Sequence, residues 1–251
     1  MNVRLIDYTG INAADPADYA ARLLIYAKNT RLTQGEETQA QIAKMSAEDV
    51  IKELDGISKT IRSSWEFVDY TFEIRGVTRA FTHQFVRTRT ASYAQQAQRV
   101  VDMAGFEWLT PDTVRADVNC IEAWDALMHQ IDQCYQFLHA HGIPAQDCRG
   151  VLPTNVLTNI IAKMNLRTFA DLVGKRDNLR AQGEYHGVAI EMKAEVLRAH
   201  PWTLPFLNPE RTATPSLDAI LAEVMGAMSP VDQPRLNAAL KELDALKGIW
   251  G

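Results

Sequence analysis

The sequence predicts an α+β fold in which an antiparallel sheet is packed with helices on one side and is followed by a C-terminal helical extension. Two observations favour this fold class. The stretches with strand character all lie before Pro111, and the chain after Pro111 has the apolar period of helices almost throughout. We expect one main domain over residues 1–210, with residues 211–251 as the helical extension, either part of that domain or appended to it.

The first elements predicted are a short strand and two helices. Val3 to Tyr8 has strand character, and Asp15 with Pro16 supplies an N-cap and a first-turn proline for a helix. That helix is expected to bury Tyr19, Leu23, Leu24 and Ala27. A second helix should begin after Ser46, end at Gly56 and bury Val50, Ile51 and Leu54.

The pattern changes to a period of two between Glu66 and Arg75. Apolar residues alternate with polar ones there, which predicts a strand with one buried face and an end at Gly76. Helix is expected from Val77 to about Arg87, and the following TRTASYAQQA stretch fits either helix or strand. A further strand is predicted over 99–109, and helices over 112–140, 153–173 and 181–199, then after Pro215 and after Pro230.

Composition restricts the class of protein. The chain has 251 residues and a formal net charge of −5, with a pI near 5.7, which disfavours a nucleic-acid partner. Apolar runs are too short for a membrane span, and Asp7 interrupts any N-terminal signal, so we expect a cytoplasmic protein with no membrane partner. The three cysteines, Cys120, Cys134 and Cys148, fit reduced structural thiols.

Common catalytic motifs are missing from the sequence. Neither a glycine-rich dinucleotide or P-loop motif nor HExxH or GxSxG occurs. The histidines are scattered, at 83, 129, 139, 141, 186 and 200, and do not meet the cysteines at ligand spacing. We therefore expect no metal site.

An arginine cluster is the most informative local feature. Arg87, Arg89 and Arg99 fall within thirteen residues of an acidic chain, interleaved with Gln and Ser. Guanidinium groups grip phosphate through paired hydrogen bonds, so the cluster favours a site for a phosphorylated ligand, although a solvated helix face would give the same pattern.

The segment from Gln84 to Arg99, which contains this arginine cluster, resembles the signature of flavin-dependent thymidylate synthases, RHRxxSxNExSxRY preceded by a Gln. Three further blocks are similar to that family: residues 63–84 before the signature, residues 149–176 after it, and AQGEY at 181–185, which is similar to AQWEI. HPWT at 200–203 resembles a closing element. The resemblance covers about residues 60–210 and implies the fold of that family.

The resemblance implies an enzyme that uses FAD, NADPH and methylenetetrahydrofolate to methylate C5 of a pyrimidine nucleoside monophosphate, most simply dUMP to dTMP. It also implies a homotetramer with active sites at subunit interfaces. Fixed cations near the uracil ring would stabilise the negative charge that develops as C5 attacks.

The resemblance also assigns roles to individual residues. Arg176 and Arg87 are the implied catalytic residues. The implied nucleotide-binding residues are Gln84, Arg87, Gln96, Ala97, Arg99, Arg149 and Arg176. The implied flavin-binding residues are Ser63, Glu66, Arg87, Thr88, Arg89, Thr90, Gln95, Asn165, Arg167 and Asp171.

The sequence departs from the family pattern at several positions. Thr88 stands in place of His, Ala94-Gln95 in place of Asn-Glu, Ala97 in place of the second Ser, Val100 in place of Tyr, and Gly183 in place of Trp. Ala97 has no hydroxyl that could act as a nucleophile. Methylation of UMP, hydroxymethylation of dUMP or dCMP, and a non-catalytic flavin or nucleotide binder therefore remain alternatives.

Overall fold

The computed structural model describes residues 1–30, 36–60, 62–176 and 183–207, and these residues surround a four-stranded sheet. The strands are β1 (Asn2–Tyr8), β2 (Asp69–Thr78), β3 (Ser92–Gln95) and β4 (Leu157–Asn165). Their spatial order is β1-β2-β4-β3, and every neighbouring pair is antiparallel. The predicted α+β class with an antiparallel sheet is confirmed.

Ten α-helices lie within the described residues. The first five are α1 (Pro16–Asn29), α2 (Glu36–Ala43), α3 (Ala47–Ser58), α4 (Arg79–Phe85) and α5 (Asp112–Arg115). The others are α6 (Val118–Ala140), α7 (Ala145–Cys148), α8 (Leu166–Arg176), α9 (Gly183–Ala199) and α10 (Leu204–Leu207). Short 3₁₀ segments span Arg62–Phe67, Arg149–Val151 and Pro201–Thr203.

One face of the sheet forms the core. On β2 the predicted alternation is confirmed, because Tyr70, Phe72 and Ile74 are fully buried while their neighbours are not. Strand β4 continues the same buried face, and α8 and α9 cover it with Phe169, Val173, Val188 and Met192. The opposite face carries polar and charged side chains, with Ile161 40% exposed among them.

Two predicted elements are wrong. The predicted helix over 153–173 is strand β4 followed by helix α8, because Thr158, Ile160, Ala162 and Met164 alternate with exposed neighbours. The predicted strand over 99–109 does not form; only Trp108 makes an isolated bridge, to Val156. Apolar residues of that segment instead form a second small core against α6, which includes Met103, Phe106, Tyr135, Cys148 and Val156.

Smaller corrections concern helix faces and ends. Asp15 and Ser46 cap α1 and α3 as predicted. However, Tyr19 is 52% and Ile51 65% exposed, because each helix buries a stripe displaced from the predicted one. Helix α3 continues past Gly56 to Ser58.

Gly76 does not end β2. The strand continues to Thr78 through a bulge between Ile74 and Val77, where Gly76 has φ +65°. That backbone region is accessible to glycine at little cost, so the residue permits the bulge.

Helix α9 is fixed to the sheet by two glutamates. Glu184 accepts hydrogen bonds from the backbone N–H and the hydroxyl of Thr78, at 2.8 and 2.5 Å. Glu195 accepts one from the N–H of Leu5, at 3.1 Å, beside a bulge in β1. Thr78 also caps α4, so the first turns of α4 and α9 are held together.

The HPWT segment closes the core. His200 is fully buried, and its Nδ1 lies 3.0 Å from the Tyr70 hydroxyl. Burial lowers the pKa of His200 to about 4, although the carbonyls of Thr9 and Pro16 raise it, and burial raises the pKa of Tyr70. The imidazole is therefore neutral at physiological pH, and its tautomer decides which partner donates in the hydrogen bond with the phenol.

Several predictions fall partly or wholly outside the described residues. The extension over 211–251 and the helices after Pro215 and Pro230 lie outside them, so the domain division stays a prediction. Within the described helices, none combines the length and the apolar character needed to cross a bilayer. Cys148 is buried, whereas Cys120 and Cys134 are exposed on α6 and are not core residues.

Candidate functional site

A polar cavity of about 530 Å³ lies between the start of α4 and the 149–154 segment. We call it the arginine cavity; it is lined by Arg79, His83, Gln98, Gln146, Asp147, Arg149, Gly150, Leu152, Pro153 and Thr154. Arg79 is the first residue of α4, and Arg149 follows α7 directly. Both arginines therefore lie at helix ends, where hydrogen bonds of the helix fix the backbone.

Gln98 is a buried polar residue that lines the arginine cavity and contacts Arg79. It is only 8% exposed, and its Oε1 accepts a 3.0 Å hydrogen bond from Nη2 of Arg79. Its Nε2 is buried and makes no hydrogen bond within the described residues. An unpaired buried donor beside two guanidiniums is suited to an anionic or carbonyl oxygen of a ligand.

The electrostatics of the arginine cavity favour an anion. Burial lowers the pKa of Arg79, and the nearby charge of Arg149 lowers it further. Within the described part of the chain, neither arginine forms an ion pair with a carboxylate, although Asp147 lines the same cavity. A bound dianion would relieve the repulsion between the two guanidiniums.

Sequence reasoning found only part of this cavity. Of the predicted nucleotide-binding residues, only Arg149 lines it, and Arg149 is exposed. The others do not line it: Gln84, Arg87, Ala97 and Arg99 are exposed, and Gln96 and Arg176 are partly exposed. Arg79, His83 and Gln98 were missed. The available signal was the i, i+4 spacing of Arg79 and His83, which places both on one face of α4.

A second group of predicted residues meets at the start of α8. Arg167 pairs with Glu66 at 2.6 Å, and Arg62 pairs with Asp171 at 2.8 Å. We call these four residues the ion-pair surface. All four side chains are between 45 and 48% exposed, so solvent weakens both pairs.

Neighbouring predicted residues complete this surface. Ser63 is exposed on the same 3₁₀ segment as Glu66. The Oδ1 of Asn165 accepts the N–H of Thr168 at 2.9 Å and so caps α8, while the hydroxyl of Thr168 donates to that of Thr90 at 3.1 Å. Six predicted flavin-binding residues are therefore brought together: Ser63, Glu66, Thr90, Asn165, Arg167 and Asp171.

The remaining predicted flavin-binding residues lie elsewhere. Arg87 and Arg89 are exposed in the turn after α4. The side chain of Gln95 points toward the core side of β3, where its Nε2 donates to the Thr82 hydroxyl at 2.9 Å. Thr88 contacts Tyr185 instead, and the guanidinium carbon of Arg176 lies 4.3 Å from the centre of that tyrosine ring.

The ion-pair surface has the donor set that a flavin dinucleotide needs. Guanidiniums bind diphosphate oxygens, and hydroxyl and amide groups bind ribityl and ring heteroatoms. Because the two carboxylate partners are half exposed, a diphosphate could replace them at low cost. The residues present therefore fit the cofactor that the sequence resemblance implies.

Comparison with known proteins gives a consistent result. Residues 4–202 match the family model described as "Thymidylate synthase complementing protein". A flavin-dependent thymidylate synthase of Geobacter sulfurreducens is 40% identical over 152 residues, which span 59% of this chain and 66% of that protein. A flavin-dependent thymidylate synthase of Pyrococcus furiosus is 36% identical, over 65% of this chain and 69% of that protein. One of Sulfurisphaera tokodaii is 30% identical, over 83% of this chain and 78% of that protein.

Proposed function

The chain belongs to the family of flavin-dependent thymidylate synthases, and we propose that it methylates C5 of a pyrimidine nucleoside monophosphate, with dUMP as substrate and dTMP as product. The observation that carries this proposal is the pair of arginines in one cavity, within a segment that matches the family. A cavity of about 530 Å³ is large enough for a mononucleotide.

The phosphate of the nucleotide would bind in the arginine cavity. Arg79 and Arg149 supply two guanidiniums without carboxylate partners among the described residues, and the Nε2 of Gln98 supplies a buried donor. These groups would neutralise a phosphate dianion and fix one end of the substrate.

The pyrimidine end would be held by Arg176 and by the segment from Gln96 to Arg99. A guanidinium at the imide edge would stabilise negative charge on the ring as C5 attacks the one-carbon donor. Ala97 offers no nucleophile, so the attack on C6 that a serine could make is not available there. Gln84 and Arg87 would complete the nucleotide contacts, Arg87 acting at the reacting end.

The flavin would bind at the ion-pair surface together with Arg87, Thr88, Arg89 and Gln95. Bound FAD would supply the electrons that reduce the transferred carbon to a methyl group, with NADPH as reductant and methylenetetrahydrofolate as carbon donor. The role of this chain's own residues would be to hold the diphosphate and keep the ring beside the nucleotide.

A homotetramer with sites at subunit interfaces is part of the proposal. Several site arginines, including Arg87, Arg89 and Arg99, are exposed in the single chain, as expected if another copy completes their surroundings. Helix α6 also exposes Leu127 and Phe137, at 51 and 62%. We place the enzyme in the cytoplasm, where its nucleotide and folate substrates occur.

The substrate can be tested by tritium release. Purified protein is given dUMP, UMP or dCMP labelled at C5, with FAD, methylenetetrahydrofolate and NADPH, and tritium entering water is measured. We expect release from dUMP. Release from UMP or dCMP alone would mean that this nucleotide, and not dUMP, is the substrate. Analysis of the product would then show whether a methyl or a hydroxymethyl group was added.

The same preparation tests for catalysis itself. A yellow protein that releases no tritium from any of the three nucleotides would be a flavin binder without this activity. A colourless protein that takes up no added FAD would contradict the proposed cofactor.

A further inference from the structure

The side chain of Arg176 is held by Tyr185. Arg176 is the last residue of α8, and Tyr185 lies in the first turn of α9. The guanidinium carbon stands 4.3 Å from the centre of the tyrosine ring, which is within the range of a cation–π contact. The ring is 1% exposed, so this contact is largely shielded from water.

The ring of Tyr185 is itself fixed. It meets the rings of Phe81 and Phe85 edge-on, with centres 5.1 and 5.9 Å away. The adjacent Glu184 is bound to Thr78 at the cap of α4 by two hydrogen bonds. Tyr185 therefore has little freedom to move away from Arg176.

The hydroxyl of Tyr185 makes a second set of contacts. The side chains of Thr88 and Arg176 lie beside it, and the backbone carbonyl of Thr88 accepts a 3.1 Å hydrogen bond from the Tyr93 hydroxyl. Burial raises the pKa of Tyr185, although Thr88 and Arg176 lower it, so the phenol keeps its proton at neutral pH. It can then donate to Thr88 while accepting from Arg176.

Thr88 and Tyr185 are two positions at which the sequence departs from the family pattern. Thr88 stands where the signature has His, and Tyr185 stands where AQWEI has Ile. The two replacements lie far apart in the sequence, but their side chains lie beside each other in the fold. A smaller residue at one position is matched by a larger, hydrogen-bonding residue at the other.

We propose that Tyr185 is a positioning residue for Arg176, anchored by Thr88, and that this pair sets the direction in which the Arg176 guanidinium meets the pyrimidine. The inference rests on the proposed function, which places Arg176 at the base. It adds a specificity-determining contact built from two residues that differ from the quoted family pattern.

The test is a double-mutant cycle on nucleotide affinity. The dissociation constant for dUMP is measured by calorimetry on the flavin-loaded protein without folate, for wild type, Tyr185→Phe, Arg176→Ala and the double variant. We expect Tyr185→Phe to weaken binding about fivefold and to have no further effect once Arg176 is alanine. Flavin absorbance per chain should not change.

Tyr93→Phe is the matched control. It also removes a partly buried phenol hydroxyl beside Thr88, but that hydroxyl bonds the backbone carbonyls of Phe85 and Thr88. It should lower the melting temperature while leaving dUMP affinity within twofold of wild type. Thr88→Val should reproduce the effect of Tyr185→Phe, and Thr88→Ser should restore wild-type affinity.

The outcomes are distinguishable. Unchanged affinity in Tyr185→Phe, or an equal loss with and without Arg176, would overturn the positioning role and leave the proposed function intact. Wild-type protein that binds none of dUMP, UMP and dCMP would overturn both.

Discussion

The arginine cavity and the ion-pair surface differ in what already holds their guanidiniums. Arg79 and Arg149 share a cavity without a carboxylate partner among the described residues, and the pKa of Arg79 is lowered by burial and further by the charge of Arg149. Arg62 and Arg167 are each paired with a carboxylate on an open surface. The first pair is poised for an anion, whereas the second must exchange one anionic partner for another.

This contrast predicts different sensitivities for the two ligands. In the arginine cavity a substitution removes attraction that nothing else supplies. At the ion-pair surface, a ligand must first break the existing arginine–carboxylate pair, so the net attraction that a substitution removes is smaller. Nucleotide binding should therefore depend on single arginines more steeply than flavin binding does.

The largest effect on ligand binding is expected from Arg149→Ala. Loss of one charge-assisted hydrogen-bonding partner should weaken dUMP binding about 100-fold, roughly 2.7 kcal/mol, with flavin content unchanged. Calorimetric titration of dUMP measures this. Arg198→Ala is the control, since Arg198 is 69% exposed on α9 and should have no effect. An effect on both ligands alike would remove the distinction between the two regions.

Protonation of His200 should lower the free energy of unfolding at acid pH by a comparable amount. Its pKa falls from 6.5 when unfolded to about 4 in the fold. Between these values the unfolded chain binds the proton and the folded chain does not, so the free energy of unfolding decreases as pH falls. The loss should reach on the order of 3 kcal/mol by pH 4.

Urea titrations at pH 7 and pH 5 measure this dependence in wild type and in His200→Gln. The variant should be less stable at pH 7 but lose less between the two pH values. An identical loss in both proteins would mean that other groups govern the acid sensitivity.

A smaller effect is expected from Arg167→Ala. FAD affinity should fall only about tenfold, because Glu66 already competes for this guanidinium, and dUMP affinity should be preserved. Fluorescence quenching on titration with FAD measures it. A loss of FAD binding as large as the dUMP loss in Arg149→Ala would show that the two regions are equally dependent on single charges.

The smallest effect is expected in the scaffold. Ser46→Ala removes the hydroxyl that caps α3 by accepting from the N–H of Asp49 at 3.1 Å. The free energy of unfolding should fall by about 1 kcal/mol, with neither ligand affected. A change in ligand affinity would mean that α3 is coupled to one of the two regions.

The sequence predicted the parts of the fold that follow from local pattern. Period-two alternation placed β2, and cap residues placed the starts of α1 and α3, because these signals act over a few residues. The same reasoning missed β4, because LTNIIAKMN has too few β-branched residues in its alternating positions to separate strand from helix. Its strand character is decided by pairing with β2 and β3.

The site was predicted unevenly for a similar reason. The resemblance assigned Glu66, Arg167 and Asp171 to one site; in the fold Arg167 pairs with Glu66 and Asp171 pairs with Arg62, and their binding role stays a prediction. It gave no indication of Arg79, which matches no residue of the quoted signature. The contact between Thr88 and Tyr185 depends on how α4 and α9 pack, and no local pattern encodes it.

Helix α6 gives the chain its own reporters of assembly. Cys120 and Cys134 are exposed and, at about four turns' separation, lie on nearly the same side of the helix, whereas Cys148 is buried. The rate at which a thiol reagent modifies the two outer cysteines should fall wherever another copy covers this helix. Measuring that rate at a series of protein concentrations would report subunit association without any added label.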